Sequence, residues 1–192
     1  QRFIELQRRK EKKIKEEEKV RKEKEEKDRQ ANLLSCMKKS LPFYPSVKKR
    51  DGEFGNADNS RWSIIENSIS KMDKTPTTLY LVKVLSLLDD KEYFKIGITT
   101  RTIEERFAKS TQLELIEIIE NFLTIRYIAL FAEYHFIREF DYTPDLVKSL
   151  NLTKPSVKFS GASEIVRPNS IKKISNLFSK LPEYEKDVLA QN

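Results

Sequence analysis

Leu79-Tyr80-Leu81-Val82-Lys83-Val84-Leu85 and Tyr93-Phe94-Lys95-Ile96-Gly97-Ile98 decide the fold. Both runs are rich in β-formers, and Asp89-Asp90-Lys91-Glu92 between them can turn the chain, so the spacing predicts an antiparallel hairpin. In Thr102-Ile103-Glu104-Glu105 a Thr is followed three residues later by Glu, the spacing of a capping box. It opens a short helix through Arg106, Phe107 and Lys109. Leu115, Ile116, Ile118, Ile119 and Phe122 give residues 113 to 123 the β-branched density of a third strand, with Glu114, Glu117 and Glu120 toward solvent. Ile128, Leu130, Phe131, Tyr134, Phe136 and Ile137 recur at helical spacing over residues 126 to 140, until Pro144 stops them. A segment from Ser156 to Val166 and a helix from Ser170 to Lys180 complete an α+β domain. Its sheet is expected to have three antiparallel strands flanked by helices.

Upstream the composition changes. Residues 1 to 30 hold 13 Lys/Arg and 9 Asp/Glu, and Glu5/Arg9, Glu11/Lys15, Glu17/Arg21, Glu18/Lys22, Glu23/Lys27 and Glu25/Arg29 all set the acid four residues before the base. That is the favourable order on a helix. Phe3, Ile4, Leu6, Ile14 and Val20 do not repeat as heptad a and d positions, so a lone charge-paired helix fits better than a two-stranded coiled coil. Such a helix serves as a spacer or interaction arm, through which the chain contacts a partner or itself, or lies along a phosphate backbone. Ala31 to Met37 is apolar enough to pack, and Pro42 and Pro45 end the helix. Turn formers mark Lys48-Lys49-Arg50-Asp51-Gly52 and Gly55-Asn56-Ala57-Asp58-Asn59 as linker. Trp62, Ile65, Ile69 and Met72 then predict a helix over 61 to 72, with Trp62 in the core. The expected division is a helical arm over 1–40, a linker over 41–60 and a compact domain over 61–192.

One Cys and one His among 192 residues exclude an internal disulfide and a Cys/His zinc site, so a metal must be held by carboxylates. Cys36 reads as a small buried apolar residue, and His135, two positions from Glu133, as packed and not a ligand. No apolar run is long enough to span a membrane, and Gln1-Arg2-Phe3 lacks the core of a signal peptide. A soluble, cytoplasmic protein is expected, and the start at Gln1 points to a fragment or processed product. The formal charge of +7 supports phosphate binding only weakly.

Leu79-Tyr80-Leu81, Lys95-Ile96-Gly97-Ile98-Thr99-Thr100, Ile103, Arg106, Glu133 in a following helix and Phe159-Ser160-Gly161-Ala162-Ser163-Glu164 together resemble the GIY-YIG nuclease superfamily. The likeness is to its phage-type branch, whose second signature reads Lys-Ile-Gly, and it spans about residues 77 to 166. It implies a metal-dependent DNA endonuclease with Tyr80, Lys95, Arg106 and Glu133 as catalytic residues. Lys95 stands where most members carry a second tyrosine, and Ser110 where many carry a histidine. Glu133 would hold Mg²⁺ or Mn²⁺; Gly97, Thr99 and Arg101 would face the DNA substrate. Glu164 fits a structural partner better than a metal ligand. The Lys/Glu/Ile/Asn-rich composition suggests a phage or bacterial source.

The chemistry asks for these residue types on its own account. In-line phosphodiester hydrolysis needs a proton acceptor for water and stabilisation of developing negative charge. Tyr80 or Lys95 is a candidate acceptor if burial or a neighbouring cation lowers its pKa. Arg106 offers paired donors to phosphate oxygens, and Glu133 offers hard oxygen ligands. Taken singly, each also reads as packing or a solvated charge. A catalytically inactive nucleic-acid-binding or assembly protein on the same fold is the alternative.

Overall fold

Alternation along the hairpin sets the architecture, and the computed structural model describes it over residues 2–42, 55–140 and 164–191. Strand β1 (Pro76–Ser86) pairs antiparallel with β2 (Lys91–Thr99), Tyr80 opposite Gly97 and Val82 opposite Lys95. Asp90 takes the turn with φ 54°, a left-handed conformation that Asp tolerates better than most residues. Leu79, Leu81 and Ile96 enter the larger core cluster, whereas Tyr80, Val82, Val84 and Tyr93 enter a smaller one. The sheet is therefore covered on both faces.

On the other side of β1 runs β3 (Leu113–Ile125). Its three glutamates lie three apart, a spacing that strict alternation would put on opposite faces. Register shifts after Leu81 and after Lys83 resolve this. β3 carries one extra residue at each shift, so Glu114, Glu117 and Glu120 stand opposite Leu85, Lys83 and Leu81, all on one face. Glu114 and Glu117 are exposed and Glu120 is half-buried.

The expected three-strand sheet is corrected to four strands in the order β3-β1-β2-β4. The fourth, β4 (Ile165–Val166), pairs with Lys95 and Phe94 of β2. A two-residue strand is too short to leave a periodic pattern.

Thr102 does cap α3 (Ile103–Phe107), with both reciprocal bonds of the capping box present. The helix closes at Phe107, short of Lys109, with Ile103 and Phe107 buried in the smaller cluster. β3 passes directly into α4 (Arg126–Phe140), where Tyr127 to Ala132, Tyr134 to Ile137 and Phe140 are all buried. A helix apolar nearly all round belongs at the centre of a core. Around it pack α2 (Gly55–Ser70) and, from the C-terminal part, α5 (Ile171–Phe178) and α6 (Leu181–Leu189). α2 starts earlier than expected and stops at Ser70, where Met72 turns left-handed with φ 49°. Trp62 packs between Phe131 and Tyr134 at ring separations of 6.3 and 5.3 Å, and its Nε1 donates to Glu66 at 2.8 Å.

The N-terminal helix α1 (Arg2–Ser40) is 39 residues long, about 58 Å at 1.5 Å per residue. Only its end joins the core: Leu33, Met37 and Leu41 are buried, and Lys38 stacks on Trp62 at 5.7 Å. Cys36 is half-buried, with Sγ 3.8 Å from both Ser40 Oγ and the Asp187 carbonyl. Farther out the described side chains are exposed apart from the half-buried Glu26 and Gln30, and the pairs four residues apart run opposite to the expected order, Lys13–Glu17, Lys19–Glu23 and Arg21–Glu25, while Glu26–Arg29 at 2.9 Å sets the acid first. Glu17, Glu23 and Glu25 each have a base four residues before and four after, so either pairing is open to them. At this exposure the choice is worth a few tenths of a kcal/mol. No helix among the described residues is long and apolar enough to cross a membrane. Residues 43–54 of the expected linker, Pro144, and residues 156–163 lie outside the described residues.

Candidate functional site

The hairpin register builds the site. Tyr80 stands opposite Gly97, and its phenol lies over the glycine: a Cβ there would be 2.4 Å from Tyr80 Oη and 2.6 Å from Cζ. No other residue leaves room for the ring in this position. Tyr80 is 1 % exposed and meets Phe107 of α3 edge-on, ring centroids 6.0 Å apart. Phe107 and Ile103 fix α3, so that Arg106, on the exposed side of the same helix, lies close enough to Tyr80 for its charge to act on the phenol.

Two positions before Gly97, Lys95 is 3 % exposed and ion-paired with Glu164, the residue that leads into β4. Glu164 also receives Arg61 of α2 at 3.2 Å. β4 covers only Phe94 and Lys95, and farther along the same strand the backbone N–H of Ile98 acts on the carboxylate of Glu133 on α4. Tyr80, Lys95, Arg106 and Glu133, drawn from β1, β2, α3 and α4, are thus linked by their charges: Arg106 and Glu133 act on Tyr80, Lys95 acts on Glu133, and Lys95 and Arg106 line one cleft.

Burial, reinforced by the charge of Glu164, pushes the half-buried Glu133 carboxyl up to about 7, against the pull of Arg61, Lys95 and the Ile98 N–H. The condition under which Tyr80 would accept a proton, a lowered pKa, is not met by its surroundings. Burial, with Glu164 and Glu133 adding to it, pushes its phenol well above the usual tyrosine range, and Arg106 only partly opposes this. The reason is that a phenol becomes negative on losing its proton, so removal from water and nearby carboxylates act in the same direction.

Beside Arg106 opens a cleft of about 410 Å³ lined by Thr77, Thr99, Arg101, Lys109 and Arg126, with Glu105 as its acid. A second, of about 240 Å³, runs from Lys95 past Arg106 to Gln112. Thr99 Oγ1 accepts the Arg101 N–H at 3.1 Å and holds the turn out of β2. Gly97, Thr99 and Arg101 therefore differ in what they do: the first seats Tyr80, the second shapes a turn, and the third lines the cleft.

Sequence reasoning missed Arg61, which belongs to no motif and left no signal. His135 is buried against Phe131 and Tyr134, at 4.5 and 5.2 Å between rings, and burial, aided by Arg138 and Lys38, pulls it down to about 3. It stays neutral and outside the site. Among the described residues no group of three or more His, Cys, Asp and Glu side chains is placed to hold a metal ion. No protein-family model matches the chain, and no curated protein or solved structure matches it.

Proposed function

We propose that this chain is a metal-dependent DNA endonuclease that hydrolyses phosphodiester bonds through a GIY-YIG-type site. One observation supports the reading: Tyr80, Lys95, Arg106 and Glu133, far apart in sequence and on four elements, are near enough to act on one another electrostatically, Arg106 and Glu133 on the Tyr80 phenol and Lys95 on Glu133. The reading assigns each a task. Arg106 grips non-bridging phosphate oxygens with its paired donors and holds the strand against Tyr80. Lys95, fixed by Glu164, sets a buried positive charge beside the phosphate. Tyr80, whose phenol keeps its own proton, relays a proton: it takes that of the attacking water as it passes its phenolic proton to a non-bridging phosphate oxygen.

The donor set suits Mg²⁺ or Mn²⁺. Glu133 keeps its proton up to about pH 7 because burial and Glu164 disfavour its charge, and a dication beside it reverses that balance. Glu133 would hold the ion, with waters and phosphate oxygens completing the shell. When bound, the ion neutralises charge developing on the scissile phosphate.

The alternative is a nucleic-acid-binding or assembly protein without turnover. It is favoured by the raised phenol of Tyr80 and by the engagement of Lys95 with Glu164. Supercoiled plasmid with Mg²⁺ or Mn²⁺ separates the two. Nicked or linear product from the wild type, absent with EDTA and from Glu133→Ala, upholds the endonuclease; plasmid that is bound and never cut upholds the alternative.

A further inference from the structure

We infer that the cleft beside Arg106 is a second anion seat, which takes the flanking phosphodiester of a bound DNA strand while Arg106 holds the neighbouring one. This rests on the endonuclease reading for the identity of the strand. Arg101, Lys109 and Arg126 line the cleft with Arg106, whereas Glu105 is its one acidic residue. That carboxylate is already engaged, accepting the Thr102 N–H at 3.2 Å in the capping box. Neither Arg101 nor Lys109 has an ion-pair partner among the described residues, and both are exposed. Arg126 is braced by Asp73, whose Oδ2 lies 3.5 Å from Nε. Asp73 is in turn held by the Thr75 N–H and hydroxyl at 3.1 and 2.6 Å, which keep its carboxyl below the usual range and so ionised. A guanidinium held by one nitrogen keeps its remaining donors for a ligand.

Three walls of the cleft are also rigid. Thr77 pairs with Thr124 across β1 and β3, Thr99 pairs with Thr78 across β1 and β2, and Arg126 opens α4 directly from β3. Cations gathered on fixed backbone, with their acids already occupied, match a polyanion that lies along the surface.

The test is equilibrium binding of a labelled DNA duplex in EDTA over a series of salt concentrations, with the full chain and with Arg101→Gln, Arg126→Gln and the double variant. Each lost phosphate contact flattens the slope of log K against log salt by about 0.9, which at 0.1 M salt weakens binding roughly eightfold. Arg101→Gln removes an exposed side chain without an ion pair, so it keeps the test valid even if Arg126→Gln disturbs the Asp73 brace. A flatter slope in both single variants, additive in the double, supports the seat. Wild-type slope and affinity retained in Arg101→Gln and Arg126→Gln overturn it, as does a wild type that binds no DNA. Plasmid cleavage by the wild type is scored separately: cleavage with unchanged slopes removes the seat and keeps the enzyme, and flattened slopes without cleavage do the reverse.

Discussion

Gly97→Ala tests the seating of Tyr80 directly. The added Cβ would stand 2.4 Å from the phenol oxygen and 2.6 Å from Cζ, distances real Cβ contacts essentially never show, and a tight 3.0 Å from Cε2. The strand cannot move away, because Gly97 is paired with Tyr80 and its neighbours are locked in register on both sides. The ring must tilt instead, toward Phe107 and the Lys95–Glu164 pair. Overpacking of this kind costs about 1–3 kcal/mol. For a chain of this size that lowers the melting temperature by about 2–12 °C. Urea unfolding of Gly97→Ala, of Tyr80→Phe and of the double variant measures it. Because Tyr80→Phe removes the 2.4 Å clash and leaves the 2.6 Å one, the cost of the alanine should fall in that background without vanishing, giving a coupling energy of at least about 0.5 kcal/mol. Additive effects, or a Gly97→Ala protein as stable as the wild type, would refute the account of why glycine is required.

Glu164→Gln leaves Lys95, 3 % exposed, without its carboxylate, and removal of one partner from a buried pair costs about 3–5 kcal/mol; partial exposure of Glu164 and Arg61 places the expected loss at the lower end. Glu92→Gln, which breaks the pair between the half-buried Lys83 and the exposed Glu92, should cost about 1 kcal/mol or less in the same unfolding assay. Thr102→Ala removes a side-chain cap from the helix that carries Arg106 and should cost about 1 kcal/mol, read from the same curves. His135 takes up a proton near pH 6.5 when unfolded and only near 3 when folded, so the unfolded state binds more protons in between and stability is lost as the pH drops through that window, by up to about 1.4 kcal/mol per unit. His135→Phe should lack this component, measured as the difference between the two proteins' stabilities at pH 7, 6, 5 and 4.

The hairpin, the capping box and the helix after β3 were legible because each rests on local chemistry: β-formers around a turn, a Thr and a Glu three apart, apolar residues at helical spacing. β4 was not, since two residues joined by long-range pairing have no period. The break in alternation of β3 was visible as glutamates three apart, yet its cause, an extra residue at each of two register shifts, belongs to the pairing with β1. At the site, the polar residue types were readable and their environment was not. The upward shift of Tyr80 depends on Glu164 and Glu133 brought from distant elements, and Arg61 acts only through the fold. The arm and domain also share more than composition suggested, because Leu33 and Met37 of α1 lie in the same core as α4.

The direct passage from Ile125 into Arg126, with no intervening loop, makes a ruler of α4. Arg126 and Glu133 sit on one unbroken helix, seven residues apart, hence about 10 Å along its axis. Buried on almost every side, that helix cannot bend or slide to adjust the interval. On the endonuclease reading proposed above, a DNA strand, whose charge repeats about every 3.4 Å of axis, would cover that interval with about three nucleotides. A strand shorter than that would then engage one end of the gauge or the other, and only a longer one would span both.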